Sequence, residues 1–195
     1  MTQDTPPPDA ALARLAAALS EVPKGALPPV ETWHPQSCGR IDMRIAADGT
    51  WFHEGAPIRR LPLVRLFSTI LRREPDGGFV LVTPVEMLSI RVDDAPFAAV
   101  EMAVEGEGED RRIAFRTNVD DLVPVDDAHA LRFEEEAGGG LRPYVHVRRD
   151  LWALLTRALA HDLVGLAEER EIDGEPAFGI FAGGRFHRIG QAGAA

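Results

Sequence analysis

The sequence has one cysteine, one lysine and one tyrosine, and it has no long hydrophobic run. A single cysteine, Cys38, excludes an intrachain disulfide, which suits a reducing compartment. No apolar stretch approaches the ~20 residues that a membrane-spanning helix needs. The acidic, proline-rich start of the chain also lacks the basic and apolar regions of a signal peptide. These absences predict a cytoplasmic protein without a membrane span.

The 195 residues carry a formal net charge of -10, and this charge is unevenly distributed. Residues 93–136 hold 14 acidic residues against four arginines, whereas residues 40–73 hold seven arginines against three acidic residues. A nucleic-acid-binding protein should be basic overall or along one face. An acidic chain with one small basic cluster fits a small anion better, so we predict an anionic ligand and no nucleic-acid partner.

Local patterns predict a hairpin and a helix in the first third of the chain. Residues 41–45 alternate apolar and charged, and Asp48 and Gly49 then offer the positive φ angles of a hairpin turn before residues 50–53. Apolar residues follow at the spacing of a helix that faces a core, which predicts a helix over residues 62–73.

Short strands separated by proline, glycine or acidic turns are predicted for most of the remaining chain. The strands between residues 79 and 117 are predicted to form one antiparallel meander. A second helix is predicted over residues 150–161, with Asp150 as its N-cap. The predicted strands are 79–83, 85–92, 97–105, 111–117, 123–125, 130–134, 143–147, 163–167 and 172–181.

Two segments about 89 residues apart resemble each other. Arg59 and Arg60 precede the apolar positions of the first predicted helix, and Arg148 and Arg149 precede those of the second. The match predicts an α+β fold of two tandem, similar halves, each with a curled antiparallel sheet and one main helix. The predicted organisation is a leader with a short helix over 1–30, a first half over 31–95 and a second half over 96–195.

The position of these arginine pairs suggests an anion site. A cation near a helix N-terminus is unfavourable by roughly 0.3–1 kcal/mol. An anion bound to the free N–H groups of each first turn, and clamped by Arg59 or Arg60 and by Arg148 or Arg149, would offset this cost. Alternatively, the arginines pair with acidic residues of the protein itself. The sequence leaves both interpretations open.

A second candidate region contains Trp33, His34 and Cys38. The aromatic rings could stack on a planar ligand, or they could simply pack a loop against a sheet. Cys38 could be a redox-sensitive thiol or an incidental cysteine. No metal-ligand spacing and no nucleophile motif accompanies these residues, so we predict no catalytic residue, no cofactor and no metal.

Two other functions remain as alternatives to ligand binding. An enzyme that acts on a phosphorylated substrate would need a general base, for which His34 and His146 are the candidates. A protein interaction module would dock a partner through a sheet edge such as residues 97–105.

Several blocks of the sequence resemble the signature of a bacterial family of domains of unknown function. The similarity covers about residues 30 to 190. It implies a duplicated core whose second half is like a pleckstrin-homology barrel, with a cleft between the halves that binds a nucleotide-like ligand in signal transduction. The blocks lie at residues 33–35, 38–45, 48–52, 55–58, 66–68, 82–86, 117–118, 143–145, 147–148, 157 and 162–164.

The resemblance and the arginine repeat together predict a ligand site at the junction of the two halves. One residue would stack on the ligand, the arginines would neutralise its charge, and an adjacent threonine and asparagine would donate or accept hydrogen bonds. The protein would then pass its ligand occupancy to a protein partner in signalling. The predicted ligand-binding residues are Trp33, His34, Arg59, Arg60, Thr117, Asn118, Arg148 and Arg157.

Overall fold

The structure is a computed structural model that describes residues 27–136, 138–172 and 174–191. The predicted leader and the short helix within residues 1–30 lie almost entirely outside the described residues. The chain divides into two compact units, Met1–Asp94 and Ala95–Ala195. In the part of the chain that the structure describes, both units are rich in strands, and each contains one α-helix.

The first unit contains one helix and six strands among its described residues, with a short 3₁₀ turn at Val30–Thr32 before them. These elements are β1 (Ser37–Ile45), β2 (Trp51–His53), β3 (Ala56–Pro57), α1 (Leu61–Thr69), β4 (Leu71–Arg73), β5 (Phe79–Val82) and β6 (Glu86–Val92).

The described residues of the second unit form nine strands and one helix, with a 3₁₀ turn at Gly108–Asp110. These elements are β7 (Phe97–Glu105), β8 (Arg112–Thr117), β9 (Leu122–Pro124), β10 (Leu131–Glu135), β11 (Leu141–Arg148), β12 (Leu151–Leu155), α2 (Arg157–Val164), β13 (Glu168–Ile172), β14 (Glu175–Ala182) and β15 (Arg185–Gln191).

The sheet of the first unit has the strand order β3-β2-β1-β6-β5-β4. The predicted hairpin is confirmed: Ile45 lies opposite Trp51, and Gly49 has the positive φ of +82° that its turn requires. Strands β1 and β6 are parallel neighbours at the centre, whereas all other pairs are antiparallel. The sheet therefore consists of two three-stranded meanders, β1-β2-β3 and β4-β5-β6. They join where β1, the first strand of the sheet, pairs with β6, the last.

The second unit repeats this topology. Its six-stranded sheet has the order β10-β11-β12-β7-β8-β9, and the first strand, β7, again pairs in parallel with the last strand, β12. The equivalent strands are therefore β1 and β7, and likewise β6 and β12. Two tandem similar halves are confirmed. Each six-stranded sheet is mixed rather than purely antiparallel, because its first and last strands along the chain lie side by side and parallel at its centre.

The repeat was predicted in the wrong register. Residues 151–155 form β12 instead of the start of a helix, and α2 begins only at Arg157. Burial alternates along this strand, with Leu151, Ala153 and Leu155 buried between half-buried neighbours. A short apolar run fits both periods, and the pairing of β12 with β7 and β11 selects the strand.

Three other boundaries differ from the predictions. Helix α1 ends at Thr69, and β4 follows at once, because residues 71–73 pair with β5. The predicted meander breaks after β6, which pairs with β1 and not with β7. The strand predicted over residues 163–167 is instead the end of α2 and the turn after it.

The core of the first unit lies between α1 and one face of its sheet. Phe67 from the helix stacks on Trp51 from β2, with ring centroids 6.4 Å apart, and both side chains are buried. Pro62 occupies the first turn of α1, where its missing N–H leaves no acceptor unsatisfied.

Arg72 is the only arginine among the described residues that counts as buried, with 8% of its surface exposed. Its guanidinium donates to the carbonyl oxygens of Val30 and Trp33, at 2.7 and 2.9 Å, and its Nε donates to Glu74 at 2.6 Å. One cation in β4 thereby anchors the 3₁₀ turn that precedes the sheet.

The second unit also holds a separate three-stranded sheet, β13-β14-β15. The turn between β14 and β15 lies against the segment that follows β9. Gly183 in this turn has a φ of +58°, and its N–H donates to the carbonyl oxygen of Arg111 at 3.2 Å. A Cβ atom at this position would lie 2.2 Å from the carbonyl oxygen of Val125, so the turn requires glycine.

In the ranges that the structure describes, neither helix has the length and apolar character needed to cross a membrane.

His187 in β15 predicts a pH dependence of stability. Its ring is buried, and burial lowers its pKa from the usual 6.5. Above pH 6.5 the ring is neutral in both states, whereas just below it the unfolded chain binds more protons than the folded chain. Stability should therefore fall as the pH falls below 6.5.

This contribution is measured by urea unfolding at pH 7.5 and 5.5. The loss of stability between the two conditions should be smaller in His187→Gln than in the parent. His161→Gln is the control, because the His161 side chain is 91% exposed. Equal losses in the parent and in His187→Gln would contradict the assignment.

Candidate functional site

A cleft of about 710 Å³ lies within the second unit, between α2 and the strands β11 and β12. One face of the helix forms one wall. Its residues Arg157, Ala160, His161 and Val164 recur at intervals of three and four, which places them on one side of a helix. The adjacent face of α2 carries Leu163, which is completely buried and anchors the helix.

The strands supply an aliphatic floor. Leu141 and Pro143 come from the start of β11, and Leu154 and Leu155 from the end of β12. Pro143 and Leu155 are buried, and the other two side chains are half-buried. Glu136 and Gly140, from the turn between β10 and β11, also line the cleft, as do Arg142 and Gly165. The imidazole of His161 is the aromatic ring in the lining.

The helix is held over this floor by backbone contacts at both ends. The N–H of Thr156 donates to the carbonyl oxygen of Ala99 in β7, at 3.2 Å. At the other end, the Arg111 guanidinium donates to the carbonyl oxygen of Leu166 at 3.0 Å. Thr156 makes no side-chain cap, so the first N–H groups of α2 donate no hydrogen bond to its side chain.

The rim of the cleft is cationic in a chain that is acidic overall. Arg157 is exposed, and its side chain makes no hydrogen bond or ion pair with any other described residue. Arg142 already interacts with other groups of the chain. His161 lies 3.8 Å from Asp162, and Glu136 is the one carboxylate in the lining. An incoming anion therefore meets one unpartnered guanidinium above an apolar surface.

Three of the predicted ligand residues meet elsewhere in the second unit, around Asp121. The Arg148 guanidinium pairs with the Asp121 carboxylate and lies 4.7 Å from the centroid of the Phe97 ring. The Thr117 hydroxyl accepts from the backbone N–H of Asp121 at 3.1 Å. The Asn118 amide oxygen accepts from the N–H of Ala98 at 3.1 Å.

These contacts correct the roles predicted for this group. Thr117 has no exposed surface, and its hydroxyl closes the turn that follows β8, so it does not meet a ligand. Arg148 does not precede a helix: it ends β11, and Arg149 with its φ of +52° begins the turn to β12. The charge of Arg148 is balanced by the protein's own carboxylate, which is the alternative that the sequence left open.

The other four predicted residues lie in the first unit. Trp33 is half-buried and follows the 3₁₀ turn, where its carbonyl oxygen accepts from Arg72. His34 is exposed. Arg59 and Arg60 are also exposed at the start of α1, and their side chains have no partner among the described residues.

An enzyme would need a general base, and the surroundings of the candidate His146 give that role little support. His146 is held by backbone carbonyls, with Nδ1 2.7 Å from the oxygen of Ala128 and Nε2 against that of Arg149. Its ring packs edge-on against Trp152. Among the described residues no three histidine, cysteine, aspartate or glutamate side chains are grouped to hold a metal ion.

Sequence reasoning found only Arg157 among the residues that line the cleft. The helical spacing of residues 157–164 was visible, but the helix was predicted to start seven residues earlier. Residues 151–155 are all apolar, so nothing local in them distinguishes a strand from the start of a helix. In the structure, the floor from β12 and the wall from α2 follow one another directly in the chain.

The fold and the cleft define a tandemly duplicated, mainly β protein with a cation-rimmed apolar cleft in its second half. Comparison with known proteins supports this description at the level of the family. A model described as "Domain of unknown function (DUF1285), N-terminal domain" matches residues 28–95. A second, described as "Protein of unknown function (DUF1285), C-terminal domain", matches residues 96–189. The chain belongs to the DUF1285 family.

Two crystal structures of similar proteins are known. A DUF1285 family protein from Silicibacter pomeroyi DSS-3 is 42% identical, with a TM-score of 0.80, and the match covers 91% of this chain and 95% of that chain. A DUF1285 family protein from Shewanella baltica OS155 is 25% identical, with a TM-score of 0.50, over 64% of this chain and 91% of that chain. No curated protein matches this chain at significant similarity.

Proposed function

We propose that the protein binds a small organic anion in the cleft of its second unit and serves as a ligand-binding component of a signalling process. The observation that supports this proposal is the combination of an aliphatic floor with an unpartnered guanidinium, Arg157, at the rim. A volume of about 710 Å³ is typical of sites for small molecules, which lie between roughly 300 and 1,000 Å³.

The proposal carries forward part of the function predicted from the sequence. The anionic nature of the ligand, the role in signalling and the pleckstrin-homology-like character of the second half remain parts of it. The site is now proposed within the second unit, and Arg157 is the predicted residue that lies in it. A nucleotide is retained as a ligand class for the test.

The experiment measures ligand binding to a variant whose cleft is filled. A panel of nucleotides, phosphorylated metabolites and carboxylates is screened by thermal shift, and each hit is titrated by calorimetry. A ligand at a hundred times its dissociation constant stabilises the folded state by about 2.7 kcal/mol. In Ala160→Phe, a ring occupies the cleft, so we expect the dissociation constant of any hit to rise roughly tenfold or more.

Ala158→Phe is the matched control, because Ala158 lies on the exposed side of the same helix and outside the cleft lining. It should bind the hit as the parent does. Far-UV circular dichroism verifies that both variants fold. Equal binding by Ala160→Phe and the parent, or a panel without any hit far above micromolar concentration, would refute the proposal.

A further inference from the structure

We infer that the ligand of this cleft is an aliphatic monocarboxylate, such as a medium-chain fatty acid, rather than a nucleotide. This inference rests on the proposed function, since it names the chemical class that the same site would accept. It follows from three properties of the lining: the kind of apolar surface, the number of available cations and the position of the one carboxylate.

The apolar surface is aliphatic throughout. Leu141, Pro143, Leu154, Leu155 and Val164 supply branched or cyclic aliphatic groups, and no phenylalanine, tyrosine or tryptophan is present in the lining. A nucleobase is usually held by stacking on an aromatic ring, and the ring that the lining offers is the imidazole of His161, whose side chain is 91% exposed. A flexible hydrocarbon chain needs only a continuous aliphatic wall, which gains stability in proportion to the apolar area that it removes from water.

The available charge matches one negative charge. Arg157 is the lining guanidinium without a partner among the described residues, whereas Arg142 is already engaged. A guanidinium holds a carboxylate with two parallel hydrogen bonds. A phosphate monoester brings a charge of about -1.5 to -2 at neutral pH, and the second charge would have no unengaged cation in the cleft and would be repelled by Glu136.

The position of Arg157 gives the ligand an orientation. It is the first residue of α2, whereas Val164 and Gly165 lie at the other end of the same wall. The carboxylate is therefore placed at the start of the helix, where the uncapped N–H groups add to the positive potential. The hydrocarbon chain then runs along the helix over Leu154 and Leu155.

The test titrates the full-length protein with decanoate below its micellar concentration, and with three probes that each lack one property. Decan-1-ol lacks the charge, acetate lacks the chain, and adenosine monophosphate carries a phosphate and a base. We expect decanoate to bind at least roughly tenfold more tightly than each of these probes. Arg157→Gln should weaken decanoate binding roughly tenfold, with partial recovery in Arg157→Lys.

Arg112→Gln is the control, because Arg112 in β8 is likewise exposed and lies outside the cleft lining. If adenosine monophosphate binds more tightly than decanoate and Ala160→Phe abolishes this binding, the proposed function stands and the carboxylate inference fails. If decanoate binds but neither Arg157→Gln nor Ala160→Phe weakens it, the cleft is not the site and both fail. If no probe binds, the carboxylate inference fails, and the full panel of anions decides the proposed function.

Discussion

Arg72→Ala should lower the free energy of unfolding by about 3 kcal/mol, because it removes a buried cation with several hydrogen-bond partners. The carbonyl oxygen of Val30, a fully buried residue, would lose its 2.7 Å bond to the guanidinium, and the Glu74 carboxylate would lose its ion-pair partner. The expected measurement is a urea unfolding curve followed by the fluorescence of Trp33 and Trp51.

Arg91→Ala provides the comparison for this effect. The Arg91 side chain is 70% exposed and pairs with Asp93 at 2.9 Å, so its removal should change stability by no more than about 0.5 kcal/mol. Arg72→Lys should fall between the two, because an ammonium keeps the charge but not the planar fork of donors. A loss of under 1 kcal/mol in Arg72→Ala would show that the guanidinium does not hold the 3₁₀ turn on the sheet.

Gly183→Ala should cost about 3 kcal/mol or more in the second unit, because it combines backbone strain with a steric clash. The positive φ of +58° is unfavourable for alanine, and its Cβ would meet the carbonyl oxygen of Val125 at 2.2 Å. Backbone must therefore move at the contact between the three-stranded sheet and the segment after β9. Unfolding followed through Trp152, which lies in the second unit, measures the effect.

Gly184→Ala separates the two causes. Gly184 has a φ of +76°, but no heavy atom lies within 4 Å of the position that a Cβ would occupy. This variant should therefore show the strain alone, about 1 kcal/mol. Equal losses at the two positions would mean that the turn relaxes away from Val125 and that the contact contributes nothing to stability.

The parts of the fold that depend on neighbouring residues could be predicted from the sequence. The hairpin around Gly49 was predicted correctly because alternation and turn chemistry act within a dozen residues. The strand predicted over residues 143–147 was found for the same reason. The division into two similar halves was also correct, although the segments that suggested it are not equivalent in the structure.

The parts that failed are those that pairing between distant strands decides. Residues 151–155 carry apolar side chains at spacings that suit a helix and a strand equally, and only the neighbours β7 and β11 make them a strand. Nothing local in the sequence indicates that β6 returns to β1 instead of continuing to β7. The two units share the order of their strands, and this similarity leaves no repeated motif to recognise in the sequence.

The same limitation applies to the candidate site. A resemblance between arginine pairs suggested two helix N-termini, but one pair belongs to a turn between strands, and its Arg148 is paired with Asp121. The cleft depends on which side of α2 faces β11, and this follows from the position where the helix begins. Arg157 is the predicted residue that lines the cleft, and the aliphatic floor beneath it required the observed pairing of β11 with β12.

The central parallel pair in each unit has a consequence for synthesis on the ribosome. Strand β1 leaves the exit tunnel first, yet its neighbour β6 is made roughly 50 residues later, and β7 waits similarly for β12. Until that partner emerges, each nascent half exposes an unsatisfied edge in the middle of its future sheet. Translational pauses placed after Val92 and after Leu155 would let each half close before the next begins.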